Sequence, residues 1–277
     1  MPLQKNLDHR LQQLLRDLHG NDTALNGDRH LLHELGDCDH EVGDVLLFLR
    51  EFGLDAREFG DALKGFQAAL GLAQKGSSLS DLAAAYRGEG LAYRGLNQST
   101  LAQVSYERGL KAAEEAGSKP LIASILRGLG MVHRNRGNVE SAIGYDERSL
   151  RIFRELGDPH EVGRALNNLA LNYQQAGDFR SAGILLEEAL HGYTEWLDVQ
   201  GAVLENLGEI AVRQGNFAAA RSYLLQLVEI SDRRTDLPGI TTAWSGLADV
   251  YRSMGEYSSA EDAYVKLLAA AAVLRNR

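Results

Sequence analysis

The sequence predicts an all-α fold, a right-handed α-α superhelix of about six helical repeats that follow an N-terminal helical pair. A period of about 40 residues is the first observation, and such a period is the signature of a solenoid. Alanines mark it at matching positions: Ala62, Ala102, Ala142, Ala182, Ala220 and Ala260. The second observation is that each period carries two turn signals, usually a Gly beside Asn, Asp or Ser. Each period therefore divides into two segments, each long enough for one helix.

The turn signals also give the boundaries of one continuous solenoid domain. We expect a divergent helical pair over residues 1–40 to act as a cap, and the repeats to span 41–76, 79–117, 119–157, 159–197, 199–235 and 237–277. Within a segment the apolar residues recur at helical spacing, as in Leu166, Leu169, Ala170 and Tyr173. Prolines follow the second turn signal of three periods, where the first turn of a helix tolerates them: Pro120, Pro159 and Pro238.

Composition excludes several other classes of protein. The chain has 277 residues, of which 44% are hydrophobic and 24% charged, and no apolar run approaches the length of a membrane span or a signal peptide. Cys38 is the single cysteine, so an internal disulfide framework is excluded and a reducing, cytoplasmic location is favoured. The net charge of -9 argues against direct nucleic-acid binding, because nucleic-acid binding requires a positive field.

The fourth repeat carries a family resemblance in residues 165–179, which read ALNNLALNYQQAGDF, together with Ala182 and Ala189. This segment resembles a tetratricopeptide repeat, in the 40-residue form found in kinesin light chains, Leu-Gly-Asn-type polarity adaptors and bacterial regulators. The resemblance extends over residues 41–277. It implies a non-enzymatic module that binds protein or peptide partners on a concave surface lined by the first helix of each repeat.

Placing the repeats in register predicts which residues line that surface. Arg87, Arg127 and Asn167 share one position, and Arg94, Arg134 and Gln174 share another about two turns along the helix. The full candidate site is Arg87, Arg94, Arg127, Arg134, Asn135, Arg164, Asn167, Asn168, Gln174 and Asn206. Arginine matches a carboxylate and asparagine pairs with a peptide backbone, so we expect a ligand with acidic side chains or a free C-terminal carboxylate. The resemblance implies a peptide-holding role for Asn167, Asn168 and Asn206.

Alternatives to a groove with bound peptide remain open from the sequence. The polar residues could be no more than the solvated side of each helix. A second functional reading is the peptide- or ligand-sensing region of a bacterial signalling or transcriptional regulator. A third is a metal-dependent enzyme using His30, His33, Cys38 and His40, although their spacing matches no standard zinc motif. We expect no catalytic residue, no cofactor and no metal.

The C-terminal segment lacks a polar capping helix. Residues 267–274 read LLAAAAVL and only three residues follow, whereas a solenoid end is normally shielded by a polar face. The sequence therefore predicts one of two arrangements. This edge packs against another molecule, either a second copy of the chain or a partner domain, or the chain is the repeat part of a longer protein.

Overall fold

A computed structural model describes residues 56–76, 78–193 and 195–275. The expected N-terminal pair over 1–40, the first helix of the repeat over 41–76 and the candidate metal ligands His30, His33, Cys38 and His40 lie outside these residues. The described residues form eleven α-helices and no strand, which confirms the all-α solenoid. The helices are α1 (Ala56–Gly76), α2 (Leu79–Gly95), α3 (Ser99–Glu115), α4 (Lys119–Asn135), α5 (Val139–Leu156), α6 (Pro159–Gln175), α7 (Phe179–Gly192), α8 (Leu197–Arg213), α9 (Phe217–Arg234), α10 (Leu237–Ser253) and α11 (Tyr257–Arg275).

The turn signals end and begin the helices as their chemistry predicts. Gly117, Gly137, Gly157, Gly177, Gly215 and Gly255 all adopt positive φ, the left-handed conformation that terminates a helix and that glycine adopts without steric cost. Side chains beside them cap the next helix, as when Asp158 Oδ1 accepts from the Glu161 amide at 3.1 Å. The three predicted first-turn prolines are confirmed at the N-termini of α4, α6 and α10.

Two turns differ from the sequence expectation. Gly76 is the last residue of α1 rather than a turn residue. Leu197 and Asp198, at the predicted boundary between the repeats 159–197 and 199–235, already lie inside α8, and the chain turns before them, near Trp196. Here the chain lacks a glycine at the turn, so α7 stops early at Gly192 and Tyr193 leaves the helix with φ -133.

Each helix packs on its neighbours in sequence, and the marker alanines lie in these contacts. Ala102, Ala142 and Ala182 are completely buried, because a methyl group allows two helix backbones to approach closely. Large aliphatic residues fill the space between helices, including Ile125, Leu166, Leu204 and Leu247. The buried residues form three clusters that follow one another along the described repeats, as expected for stacked repeats.

The outer side of the last helix exposes apolar side chains. Leu268 is 68% exposed, Val265 61% and Val273 47%. The described residues of α11 pack on α10, and these three side chains stay exposed beside that contact.

Candidate functional site

The first helices of successive repeats form the inner layer of the solenoid. α2 contacts α4, α4 contacts α6, α6 contacts α8 and α8 contacts α10, while successive second helices approach one another much less. In a curved solenoid the inner layer is the one whose helices crowd together, so the inner surface belongs to α2, α4, α6, α8 and α10. All ten candidate residues lie on the first four of these helices.

Arg127 makes a partly buried ion pair across the inner layer. Its Nη1 group pairs with Oε2 of Glu161 on α6, and only 13% and 12% of the two side chains are exposed. The guanidinium carbon also lies 5.3 Å from the ring centre of Phe153, a cation–π distance. The charge of Arg127 is therefore largely satisfied within the protein.

Arg134 and Arg94 are both half-buried, and Arg94 lies close enough for its charge to act on Arg134. Arg134 donates to the carbonyl of Asn168 at 3.3 Å and to Oδ1 of Asn172 at 3.4 Å. Burial raises the pKa of the Tyr106 hydroxyl, and the nearby charge of Arg94 lowers it. Burial lowers the pKa of Arg134, the Asp146 carboxyl raises it and the Arg94 charge lowers it. In the described part of the chain, no carboxylate lies within ion-pair distance of either arginine.

The amide side chains link α6 to α8. Asn206 Nδ2 donates to Asn167 Oδ1 at 2.8 Å, and Gln174 Nε2 lies 3.5 Å from the Asn206 carbonyl. Asn168 is half-buried and offers its carbonyl to Arg134. The structure therefore brings together Arg134, Asn167, Asn168, Gln174 and Asn206. The bond between the two asparagines occupies Nδ2 of Asn206 and Oδ1 of Asn167.

The remaining candidates lie at the edges of this cluster. Arg87 is half-buried on α2, and its charge lowers the pKa of Tyr106, against the larger effect of burial, which raises it. Burial raises the pKa of Asp198, but the hydrogen bond and charge of His160, with a smaller effect from Arg164, together hold it below its usual value. Asn135 is exposed as the last residue of α4.

Further along the inner layer the surface becomes acidic. Burial raises the pKa of Glu205 on α8, and the charges of Glu209 and Asp236 raise it further. Glu209 is paired with Arg213, at 2.7 Å. The inner surface therefore changes from basic at α2 and α4 to acidic at α8.

A buried polar pair beneath the surface was not among the predicted site residues. Asn172 Nδ2 donates to Asp146 Oδ2 at 2.7 Å, and both residues are 0% exposed. Burial raises the pKa of Asp146 to about 7, while the bond from Asn172 and the charges of Arg134 and Arg127 lower it. The sequence contained the signal, because the residues in register with Asp146 are all apolar or aromatic: Phe66, Tyr106, Leu186, Leu224 and Tyr264.

A concavity of about 770 Å³ lies elsewhere, between the second helices α5 and α7 and over α6. Leu150, Leu169 and Leu185 contribute apolar surface and Arg151 and Glu188 contribute charge. None of the predicted site residues lines it. Within the described ranges no group of three or more His, Cys, Asp or Glu residues could hold a metal ion. No described helix is long and apolar enough to cross a membrane.

These features define a helical-repeat protein with a polar inner surface. The sequence model of the tetratricopeptide repeat family matches residues 121–195 and 200–272, more than half of the chain, so the chain belongs to the tetratricopeptide repeat family. No curated protein sequence matches it.

Solved structures show the same fold at low sequence identity. BtubC (BKLC) from P. vanneervenii superposes with a TM-score of 0.69 at 18% identity, over 79% of this chain and 93% of that one. The apo quorum sensor NprR from B. thuringiensis gives 0.66 at 16% identity, over 97% and 77%. A Rap protein complexed with Competence and Sporulation Factor gives 0.61 at 17% identity, over 90% and 75%.

Proposed function

We propose that the chain is a protein-interaction module that binds a peptide or protein segment on the inner surface of α2, α4, α6 and α8, and that it recognises a carboxylate of that ligand. Tetratricopeptide repeats generally serve as scaffolds for protein–protein interaction, and that role suits a surface lined by arginine and amide groups. The ligand carboxylate is either an acidic side chain or the chain terminus.

The observation that supports carboxylate recognition most directly is the pair formed by Arg94 and Arg134. The two positive charges oppose each other within a half-buried surface, and like charges in such surroundings are unfavourable. A ligand carboxylate between α2 and α4 would neutralise both and accept hydrogen bonds in the fork geometry that arginine provides. Arg127 takes a lesser part, because Glu161 already neutralises it.

The amide groups supply the second element of recognition. Since Asn206 uses Nδ2 and Asn167 uses Oδ1 in their mutual bond, Asn167 Nδ2 and Asn206 Oδ1 remain to bind a peptide carbonyl and a peptide N–H. Those are the two polar groups that an extended backbone presents. The pair can therefore hold one peptide unit while Arg94 and Arg134 hold a carboxylate.

Sensing of a peptide signal is a second candidate, favoured by two of the similar folds. NprR is a quorum sensor, and the Rap protein was crystallised with Competence and Sporulation Factor. For this chain, the same inner surface would bind the peptide, and the output would be a change in the curvature of the solenoid. Scattering profiles with and without a bound peptide separate the two proposals, because a static scaffold gives superimposable curves.

The proposed function is tested with an array of synthetic octapeptides of varied acidic content, each made with a free C-terminal carboxylate and as the C-terminal amide. We expect binding to favour acidic or free-carboxylate members and to be lost in Arg94→Ala/Arg134→Ala. The matched control is Arg108→Ala/Arg148→Ala, which removes two exposed arginines from the second helices α3 and α5. Equal binding by the two double variants would show that the proposed site is wrong.

A further inference from the structure

Asp146 and Asn172 occupy positions that hold apolar or aromatic residues at the other described junctions of the solenoid. Asp146 lies four residues after the marker Ala142. Asn172 immediately precedes Tyr173, whose matching positions in the other repeats are Tyr93, His133, Ala211 and Tyr251. The corresponding pairs at the other described junctions are all buried and none carries a charge: Phe66 with Ala92, Tyr106 with Val132, Leu186 with Ile210, and Leu224 with Val250. The junction between α5 and α6 is therefore unusual within its own chain.

Stability does not explain this polar pair. A buried carboxyl loses its hydration, and an apolar pair of suitable size is often as stable or more stable. One oxygen of the carboxyl, Oδ1, is buried without a hydrogen-bond partner, so its hydration is not fully replaced. A costly arrangement at one junction, where apolar residues serve at the others, indicates a role other than packing.

The pair is connected to the inner surface through Arg134. Asn172 directs Nδ2 to Asp146 at 2.7 Å and Oδ1 to Arg134 Nη1 at 3.4 Å. An ionised Asp146 can only accept hydrogen bonds, so it requires Asn172 to present its NH₂ group, and Oδ1 then necessarily faces Arg134. The charge of Asp146 also attracts Arg134 directly. Both effects hold the guanidinium against the floor of the groove.

We propose that Asp146 and Asn172 are positioning residues that hold Arg134 in place for the ligand carboxylate. The identity of the ligand rests on the proposed function, whereas the link from Asp146 through Asn172 to Arg134 does not. Neither residue touches the ligand, because both are fully buried. Protonation of Asp146 weakens the arrangement, since a neutral carboxyl can donate to Asn172 Oδ1 and turn the NH₂ group towards Arg134. The charged groups near Asp146 are Arg127 and Arg134 on α4, and Asn172 faces it from α6.

The variant that tests this proposal is Asp146→Leu/Asn172→Ile, which copies the pair Leu186 and Ile210 of the next repeat. In the next repeat, Leu186 and Ile210 pack even though the position of Gly130 is taken by the larger Ala170. The junction at Asp146 therefore has at least as much space, and we expect the variant to fold. The isosteric variant Asp146→Asn is the second measurement. It keeps the shape of the side chain but offers an NH₂ group that competes with Arg134 for Asn172 Oδ1.

The first readout is the rate at which phenylglyoxal modifies Arg134, measured by mass spectrometry of the digested protein. Exposed Arg148 is the internal reference. We expect the rate at Arg134 to rise about three- to tenfold in the double variant and less in Asp146→Asn, as expected for loss of one hydrogen bond. The rate at Arg148 should not change. Unchanged reactivity of Arg134 in both variants overturns the proposal, whether or not any peptide binds.

The second readout is the affinity for a free-carboxylate peptide from the array. We expect the double variant to bind it about three- to tenfold more weakly than the wild-type protein does, with no loss of thermal stability. For the amide form of the same peptide, the affinity should differ less between wild type and double variant. If wild-type protein binds no array peptide, the proposed function fails while the reactivity of Arg134 still decides the positioning role. If the peptide binds equally to wild type and double variant, Arg134 needs no positioning.

Discussion

The side-chain amide of Asn206 on α8 donates a 2.8 Å hydrogen bond to Oδ1 of Asn167 on α6. This bond joins the first helices of two successive repeats at the inner surface, where the apolar core does not reach. It also determines which amide group of each asparagine remains for a ligand. The two roles predict different consequences for stability and for binding.

Asn206→Ala should lower the free energy of unfolding by about 1 kcal/mol, because one partly buried hydrogen bond is lost and Asn167 Oδ1 must find another donor. It should also weaken peptide binding, since the Asn206 acceptor is removed. Urea unfolding and peptide titration measure the two effects. Asn135→Ala, at the exposed end of α4, is the control and should change stability by less than about 0.5 kcal/mol. Equal stability of the two variants would mean that the bond is not formed in solution.

Gly130→Ala and Gly144→Ala should change stability in opposite directions. A Cβ atom at Gly130 would lie 2.4 Å from Asp146 Oδ1, whereas nothing lies within 4 Å of one at Gly144. The Cγ atom of this fully buried carboxyl would also lie only 2.7 Å away, so the whole group must shift and Gly130→Ala should destabilise the fold by about 1–3 kcal/mol. Gly144→Ala should stabilise α5 by about 0.5–1 kcal/mol, because glycine lowers helix stability relative to alanine. Thermal unfolding of the two variants tests both signs.

Thr235 and Asn97 occupy turn positions where other repeats carry a glycine with positive φ, such as Gly157 for Thr235 and Gly137 for Asn97. Thr235 has φ 55 and Asn97 φ 57, and the β-branched threonine is strained in this region more than asparagine is. Thr235→Gly should therefore raise the free energy of unfolding by about 1 kcal/mol. Gly157→Ala places a side chain in the same left-handed conformation and should lower the free energy of unfolding by about 1 kcal/mol. Calorimetry on both variants checks the prediction, and a loss of stability in Thr235→Gly would contradict it.

Much of this structure could be predicted from the repeat itself. The turn glycines, the first-turn prolines and the marker alanines recur at fixed intervals, and each has a local physical cause that holds in every copy. Arg127 shows where such reasoning stops, because its partner Glu161 lies 34 residues away on another helix and the sequence does not specify the rotamers that join them. Asp146 shows a different limit. Comparing repeats in register marks it as unusual, but only its bond to Asn172 reveals a connection to the groove.

Asp146 should make stability depend on pH. Its pKa in the folded protein is raised to about 7 from 3.8, so the folded state binds more protons between these values and stability falls as pH rises through that range. Wild-type protein should lose roughly 2 kcal/mol more than Asp146→Leu/Asn172→Ile does between about pH 5 and about pH 8. Urea unfolding at both pH values measures the difference.

His133 should make stability rise with pH, which is opposite to the effect of Asp146, but it contributes equally to wild type and to the double variant. Burial lowers its pKa, and so does the Arg136 charge, so the unfolded state binds more protons at this residue and stability rises with pH near its pKa. Because both proteins retain His133, the difference between their pH profiles belongs to Asp146. Parallel profiles would show that Asp146 titrates as it does in the unfolded chain.

Arg127 and Arg94 should differ in what their removal changes. Arg127→Ala breaks an ion pair of which little is exposed and leaves the Glu161 carboxylate without that partner, so it should lower the free energy of unfolding by about 1–3 kcal/mol. Because Glu161 already neutralises Arg127, a ligand carboxylate gains little from it. Arg127→Ala should therefore weaken binding of the free-carboxylate peptide only slightly. Arg94→Ala removes a charge that has no carboxylate partner among the described residues and relieves its repulsion of Arg134. It should therefore lower stability less than Arg127→Ala does, while binding weakens about tenfold. Unfolding and titration of both variants, with Arg127→Ala/Glu161→Gln to complete the cycle, separate the two roles. An equal loss of affinity in both variants would show that the ion pair opens when ligand binds.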